Sequence, residues 1–196
     1  MKLAVILGTT RQGRQTSKET SWVVKTASQL SDVEVELVDL NDYPMPFFDE
    51  PVSPRYNPSR DVHPEVVKWL DKISEFDAFI FATPEYNHSI PGVLKNAIDY
   101  LTWELKHKPV TVVSHGSAGG ARAATHLKEI LSESQAVVIP NAVAISGMLA
   151  DMIDEEGNLA EAVKANPYGP QGQLDVLLTE LKWYSDALTA ARSSEA

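Results

Sequence analysis

Three times in this chain a short apolar run stops at a small polar loop that passes straight into a helical pattern. Leu3-Ala4-Val5-Ile6-Leu7 ends at Gly8. Ala78 to Ala82 ends in Thr83-Pro84-Glu85-Tyr86-Asn87-His88-Ser89-Ile90-Pro91-Gly92. Val110-Thr111-Val112-Val113 ends in Ser114-His115-Gly116-Ser117-Ala118-Gly119-Gly120. A continuous apolar run suits a strand covered on both faces. Strands that alternate with helices are joined by right-handed crossovers and form a parallel sheet. Ligands of such sheets bind at the strands' carboxyl ends, so the three junctions are expected to meet in one crevice.

The remaining elements fit the same scheme. Val23, Ala27 and Leu30 mark a first helix, with Thr16 and Glu19 at capping-box spacing. Val33, Val35 and Leu37 alternate with Glu34 and Glu36, as in an edge strand with one wet side. Residues 41–60 hold five prolines and cannot be helix interior. Their Phe47 and Phe48 either plug the core or wall a pocket or subunit contact. Pro64, Val66, Leu70 and Ile73 mark a second helix, and a third is expected from Pro91 to about Trp103. Ala121, Ala124, Leu127 and Leu131 mark a fourth, and 136–139 a fifth strand. Residues 140–172 carry weak signals, with turns at 151–158 and 166–170. Leu174, Leu177, Leu178, Leu181, Tyr184 and Leu188 define a terminal helix beginning near Gln171. Five strands and a terminal helix favour an α/β three-layer sandwich of order 2-1-3-4-5, with its ligand between strands one and three. The expectation is a single domain over 1–196.

Composition narrows the function. An apolar fraction of 43% over 196 residues supports one substantial core. No cysteine is present, so disulfides, thiolate metal sites and thiol nucleophiles are excluded. A formal charge of -10 argues against a nucleic-acid partner. The opening apolar run is too short for a signal peptide, and no apolar stretch is long enough to span a membrane. A soluble cytoplasmic protein is expected.

The loops suggest an anionic ligand with a flat ring. The first has neither a G-x-G-x-x-G pattern nor a Gly-Lys-Ser/Thr ending. It offers Thr9, Thr10, Thr16 and Ser17 hydroxyls, Arg11, and N–H groups at a helix start, which suit the phosphate of a mononucleotide. Alternatively Thr16 only caps and Arg11 is solvated. In the second loop Pro84 and Pro91 fix the backbone, Asn87 suits a turn, Glu85 is a lone carboxylate, and His88 has no partner at metal-ligand spacing. In the third, Ser117 lies in Gly-x-x-Gly rather than Gly-x-Ser-x-Gly, so a hydrolase elbow is excluded.

Taken together, Leu7-Gly8-Thr9-Thr10-Arg11 with Thr16-Ser17, the run Pro84 to Asp99, and Ser114 to Arg122 resemble the NADPH-dependent FMN reductase family. That family of flavodoxin-like proteins includes quinone, chromate and azo-dye reductases. The resemblance implies that Thr9, Arg11, Thr16 and Ser17 hold the FMN phosphate. It implies that Pro84, Glu85, Tyr86 and Asn87 cradle the isoalloxazine, and that Ser114, Gly116 and Ser117 lie beside the ring. It also implies NADPH, with NADH as the alternative donor, and a homodimer or pair of dimers. Gly8-Thr9-Thr10-Arg11 replaces the family's Gly-Ser-x-Arg, and Gln15-Thr16 departs from its Ser-x-Asn ending.

The implied reaction passes hydride from a nicotinamide through FMN to a small quinone-like or azo acceptor. The flavin carries that chemistry, so no protein acid–base pair, catalytic residue or metal is expected. Rival expectations are a reductase that releases reduced flavin to a monooxygenase, a flavodoxin-type electron carrier, and an interaction protein that keeps the fold.

Overall fold

The computed structural model describes residues 1–147 and 151–194. Its elements in order are β1 (Lys2–Leu7), α1 (Thr16–Ala27), β2 (Glu34–Asp39), α2 (Pro64–Ser74), β3 (Ala78–Pro84) and α3 (Gly92–Asp99). There follow β4 (Pro109–Gly116), α4 (Ala121–Glu133), β5 (Val137–Val138), β6 (Val143–Ser146), α5 (Glu161–Lys164) and α6 (Pro170–Ser194). All strand pairings are parallel, in the order β2-β1-β3-β4. The fifth place is filled by two short strands in succession. β5 pairs with Pro109 and Val110, and β6 with the stretch from Val113 to Gly116. Pro140 lies between them and has no N–H for the ladder. The three-layer α/β architecture and the order 2-1-3-4-5 are those expected.

Side chains along β1 alternate between two cores, as a period of two requires. Ala4 and Ile6 join Trp69, Phe79, Phe81, Leu94 and Leu127 on the face covered by α2, α3 and α4. Leu3 and Val5 join Trp22, Val23, Ile80, Leu174, Leu177 and Leu181 on the face covered by α1 and α6. Burying each such large side chain stabilises by about 1.5–3 kcal/mol, so a sheet covered on both sides is strongly favoured. Two buried indoles have partners for their N–H groups. Trp69 donates to the Ala97 carbonyl at 2.9 Å, and Trp22 to the Gln171 side chain at 2.8 Å.

Several expectations are corrected. Thr16 is the first residue inside α1 rather than its cap, and Gln15 precedes it with no side-chain cap bond. The capping box fails because Glu19 turns inward to His115. Val33, just before β2, and Val35 on it pack partly against the α1 face, but Leu37 is 40% exposed and Val38, on the opposite face, is the buried residue. α3 stops at Asp99, so Leu101 and Trp103 lie beyond it. On α4 it is Ala123, not Ala124, that is fully buried.

Residues 41–60 resolve the two phenylalanines differently. Phe48 packs edge-on against Tyr100 at 5.3 Å, whereas Phe47 is 84% exposed. Asn96 on α3 pins this segment, accepting from the Phe48 N–H and donating to the Pro46 carbonyl, both at 2.8 Å. Further along, Arg60 pairs with Glu50 and donates to the Tyr100 carbonyl at 2.6 Å.

Candidate functional site

The carboxyl ends of β1, β3 and β4 bring the three polar loops side by side. The first close approach explains Gly8: a Cβ there would lie 2.7 Å from the Ala82 carbonyl and 2.9 Å from Leu94. Gly8 instead donates to that carbonyl at 2.9 Å, joining the first loop to β3.

Beyond Gly8 the chain wraps a polar cleft of about 650 Å³, lined by residues 10–15 with Ser17, Lys18, Asn41 and Glu155. Backbone N–H groups of Gln12, Gly13, Arg14, Gln15 and Thr16 have no protein acceptor among the described residues. Such a cluster at a helix start is suited to an anion. The neighbouring side chains divide into those that build the loop and those that remain available. Arg14 is structural: it makes a two-pronged pair with Asp39 at the end of β2 and donates to the Thr9 carbonyl. Thr9 is buried, with its hydroxyl 3.1 Å from the Tyr86 hydroxyl. Thr16 is buried too, and Ser17 donates to the Arg14 carbonyl at 2.8 Å. Arg11 is exposed and its guanidinium stands 5.7 Å from the centre of the Tyr86 ring. Lys18 meets Glu155 at 2.8 Å, and that carboxylate raises the ammonium's pKa above its ordinary value.

The second loop is a hairpin. Tyr86 and Ser89 exchange two backbone hydrogen bonds of 2.9 and 3.0 Å around Asn87 and His88. Both corner residues are left-handed, at φ 49° and 68°, as a primed two-residue turn requires. Asn87 is therefore a corner residue of the hairpin. Glu85 ties the second loop to the third. Its N–H donates to the His115 carbonyl at 2.7 Å, and its carboxylate accepts from the Arg122 N–H and guanidinium, each at 3.1 Å. Burial works against the charged form of Glu85, but the bonds from Arg122 and Ala123 at the start of α4 prevail and hold its pKa below the ordinary value.

In the third loop Ser114 is buried and donates to the Gly119 carbonyl at 2.7 Å. Ser117 and Ala118 are exposed, and their N–H groups have no acceptor among the described residues. Gly120, at φ 70°, lies so close to His115 that a Cβ would approach its carbonyl to 2.7 Å. Behind the loop, the His115 Nδ1 lies 2.7 Å from Glu19 Oε1 on α1. The contact is short but not aligned as a hydrogen bond, and neither Glu19 oxygen has an aligned donor among the described residues. Glu19 raises the imidazole pKa above its ordinary value, against the effect of burial.

All eleven residues expected at the site thus sit on the three converging loops or the adjoining helix turn. Of these, Thr9 and Ser114 have hydroxyls bonded within the fold, to Tyr86 and to the Gly119 carbonyl. Sequence reasoning passed over Arg14, Lys18, Asn41, Glu155 and the Glu19–His115 pair. Lys18, in the first turn of α1 beside Ser17, was the one a closer reading could have found. The others depend on contacts between distant segments. No cluster of three or more His, Cys, Asp or Glu side chains able to hold a metal occurs among the described residues.

A doubly wound parallel sheet with a cluster of available N–H groups at its first junction, next to its topological switch point, defines a flavodoxin-like mononucleotide-binding protein. The chain belongs to the NADPH-dependent FMN reductase family, whose pattern matches residues 1–149. An NAD(P)H-dependent FMN reductase of Schizosaccharomyces pombe is 31% identical over 181 residues, covering 88% of this chain and 90% of the relative. A quinone reductase of Escherichia coli K12 is 29% identical over 194 residues, covering 95% and 94%. Among solved structures, the flavoenzyme NAD(P)H:(acceptor) oxidoreductase FerB of Paracoccus denitrificans superposes with a TM-score of 0.73 at 25% identity, covering 93% and 98%.

Proposed function

We propose that this protein is an FMN-dependent NAD(P)H oxidoreductase that reduces small acceptors of the quinone or azo type. The observation that carries the reading is the run of unpartnered N–H groups from Gln12 to Thr16, opening on a polar cleft beside Arg11 and Lys18. This donor set fits the phosphate of FMN, which needs many short hydrogen bonds and a positive field. Bound FMN supplies the hydride-accepting and electron-donating chemistry.

The chain's own residues bind and orient. Arg11 and the N–H groups of the first loop take the phosphate, joined by the Ser17 hydroxyl when it turns from the Arg14 carbonyl. Tyr86, braced by Thr9, stands as a wall where loops one and two meet. Pro84, Glu85, Asn87 and Ser114 fix the loop backbones, Glu85 by capping α4. The N–H groups of Ser117 and Ala118 offer donors to the electron-rich edge of the ring, and Gly116 lets Glu85 and Gly120 pack closely behind them. We place the whole activity in one FMN-binding domain over 1–196, with NADPH or NADH as donor. We further propose a homodimer or pair of dimers in the cytoplasm. Exposed Phe47, Tyr56 and Trp103 supply apolar surface for such a contact. No described helix is long and apolar enough to cross a membrane.

The test is an anaerobic titration of the purified, FMN-loaded protein. NADPH is expected to bleach the flavin absorption, and added benzoquinone to restore it. Loss of the flavin on gel filtration after bleaching points to a supplier of free reduced flavin. Absence of bleaching by NADPH or NADH overturns the enzyme reading in favour of an electron carrier.

A further inference from the structure

The binding roles above leave unused the ionisable pair behind the third loop, Glu19 and His115. Glu19 is 1% exposed on α1, and among the described residues the one basic group within 4 Å of its carboxylate is His115, at 2.7 Å. His115 is also where the three loops meet. Its carbonyl accepts from Glu85 of the second loop. Its backbone is what Gly120 of the third loop packs against, with no room for a Cβ. Its ring reaches the helix whose first turn carries the N–H groups of the first loop.

We propose that His115 is a positioning residue that locks the three cofactor loops together, and that its ion pair with Glu19 and the binding of FMN strengthen one another. The inference rests on the FMN reading. A carboxylate this deeply buried needs a counter-charge or water. With His115 protonated, α1 lies tight against the end of β4 and the nest from Gln12 to Thr16 keeps its aim. With His115 neutral, Glu19 is left without a compensating charge. Hydrating it requires α1 to move away from β4, and the anion nest moves with it.

The charges that face the imidazole are Glu19 on α1 and, more weakly, Asp151 after β6. Its strand neighbours Pro84 and Ile145 are uncharged. The His115 pKa is raised, so the clamp is complete below the ordinary histidine value and is lost as pH climbs through the raised value. Coupling of this kind is reciprocal: if protonation tightens FMN, FMN must raise the His115 pKa by the same factor.

The test pairs an NMR titration of the His115 ring, with and without saturating FMN, with FMN dissociation constants from fluorescence quenching between about pH 5.5 and 9. FMN is expected to raise the His115 midpoint by about one pH unit, and affinity to fall about tenfold across that interval. In H115Q the step is expected to vanish, leaving only the titration of the phosphate itself. In E19Q the His115 midpoint and the affinity step are expected to move down together. The wild-type titration needs no variant, so a poorly folding substitution does not decide the matter. A His115 midpoint indifferent to FMN, or an affinity step that survives in H115Q, overturns the inference. Wild-type protein that binds no FMN at any pH overturns the FMN reading instead.

Discussion

Arg11 and Arg14 lie three residues apart in one loop and do different work. Arg14 is committed to Asp39 and the Thr9 carbonyl, so it shapes the loop. Arg11 leans on Tyr86, a contact worth only about 0.5–1 kcal/mol at an exposed site, and is free to turn to a phosphate. Arg11→Ala is therefore expected to weaken FMN binding by about 1.5–3 kcal/mol, the range for a charged hydrogen bond. A fluorescence titration checks it, and an unchanged affinity removes Arg11 from the phosphate site. His88 offers the opposite case. It is exposed and left-handed at a corner where glycine carries no steric penalty. His88→Gly is expected to raise stability by up to about 1 kcal/mol in thermal melts and to leave FMN affinity unchanged. A drop in affinity would give His88 a ligand contact.

At the scale of elements, polar residues that look catalytic in isolation prove to be joints. Asn96 closes two hydrogen bonds to residues 46–48 and is almost fully buried. Asn96→Leu strands the Phe48 N–H and the Pro46 carbonyl, and is expected to cost about 2–3 kcal/mol in urea unfolding. Glu85 joins the hairpin to α4. Its pKa is lowered in the folded state, so its contribution is complete above the ordinary glutamate value and is lost as pH falls through the lowered value. The melting temperatures of wild type and Glu85→Gln are thus expected to differ at neutral pH and converge in acid. Much of this level was legible in the sequence. Continuous apolar runs announced β1, β3 and β4, and loops of small polar residues announced the junctions, because burial on two faces and tight turns each restrict residue type. What was not legible came from contacts distant in sequence. Glu19 matched the local capping pattern with Thr16, yet it is drawn inward to His115, which lies 96 residues further on. Leu37 matched the alternation of an edge strand, but only the sheet's real cover decides which of its faces is dry. The fifth strand's interruption at Pro140 was visible as a weak signal, and its two halves are assigned only by their pairing with β4.

At the scale of the molecule, the two faces of the sheet are separate cores, and the site lies at the carboxyl ends of the strands between them. Leu177 on α6 is fully buried in the core shared with α1, and its side chain lines no part of the cleft. Leu177→Ala is expected to destabilise by about 2–5 kcal/mol, since a lost leucine leaves a cavity as well as lost burial. FMN binds the folded state alone, so at a hundredfold excess over its dissociation constant it restores about 2.7 kcal/mol. Urea unfolding of wild type and variant, each with and without that excess, separates two cases. If the cradle is independent of this core, FMN shifts both proteins by the same free energy, and the variant's deficit persists unchanged. A smaller shift in the variant means that loosening α6 has weakened the cradle itself. The path for such an effect is α1, which packs on the same core through Trp22 and Val23 and carries at its start the N–H groups that face the cleft.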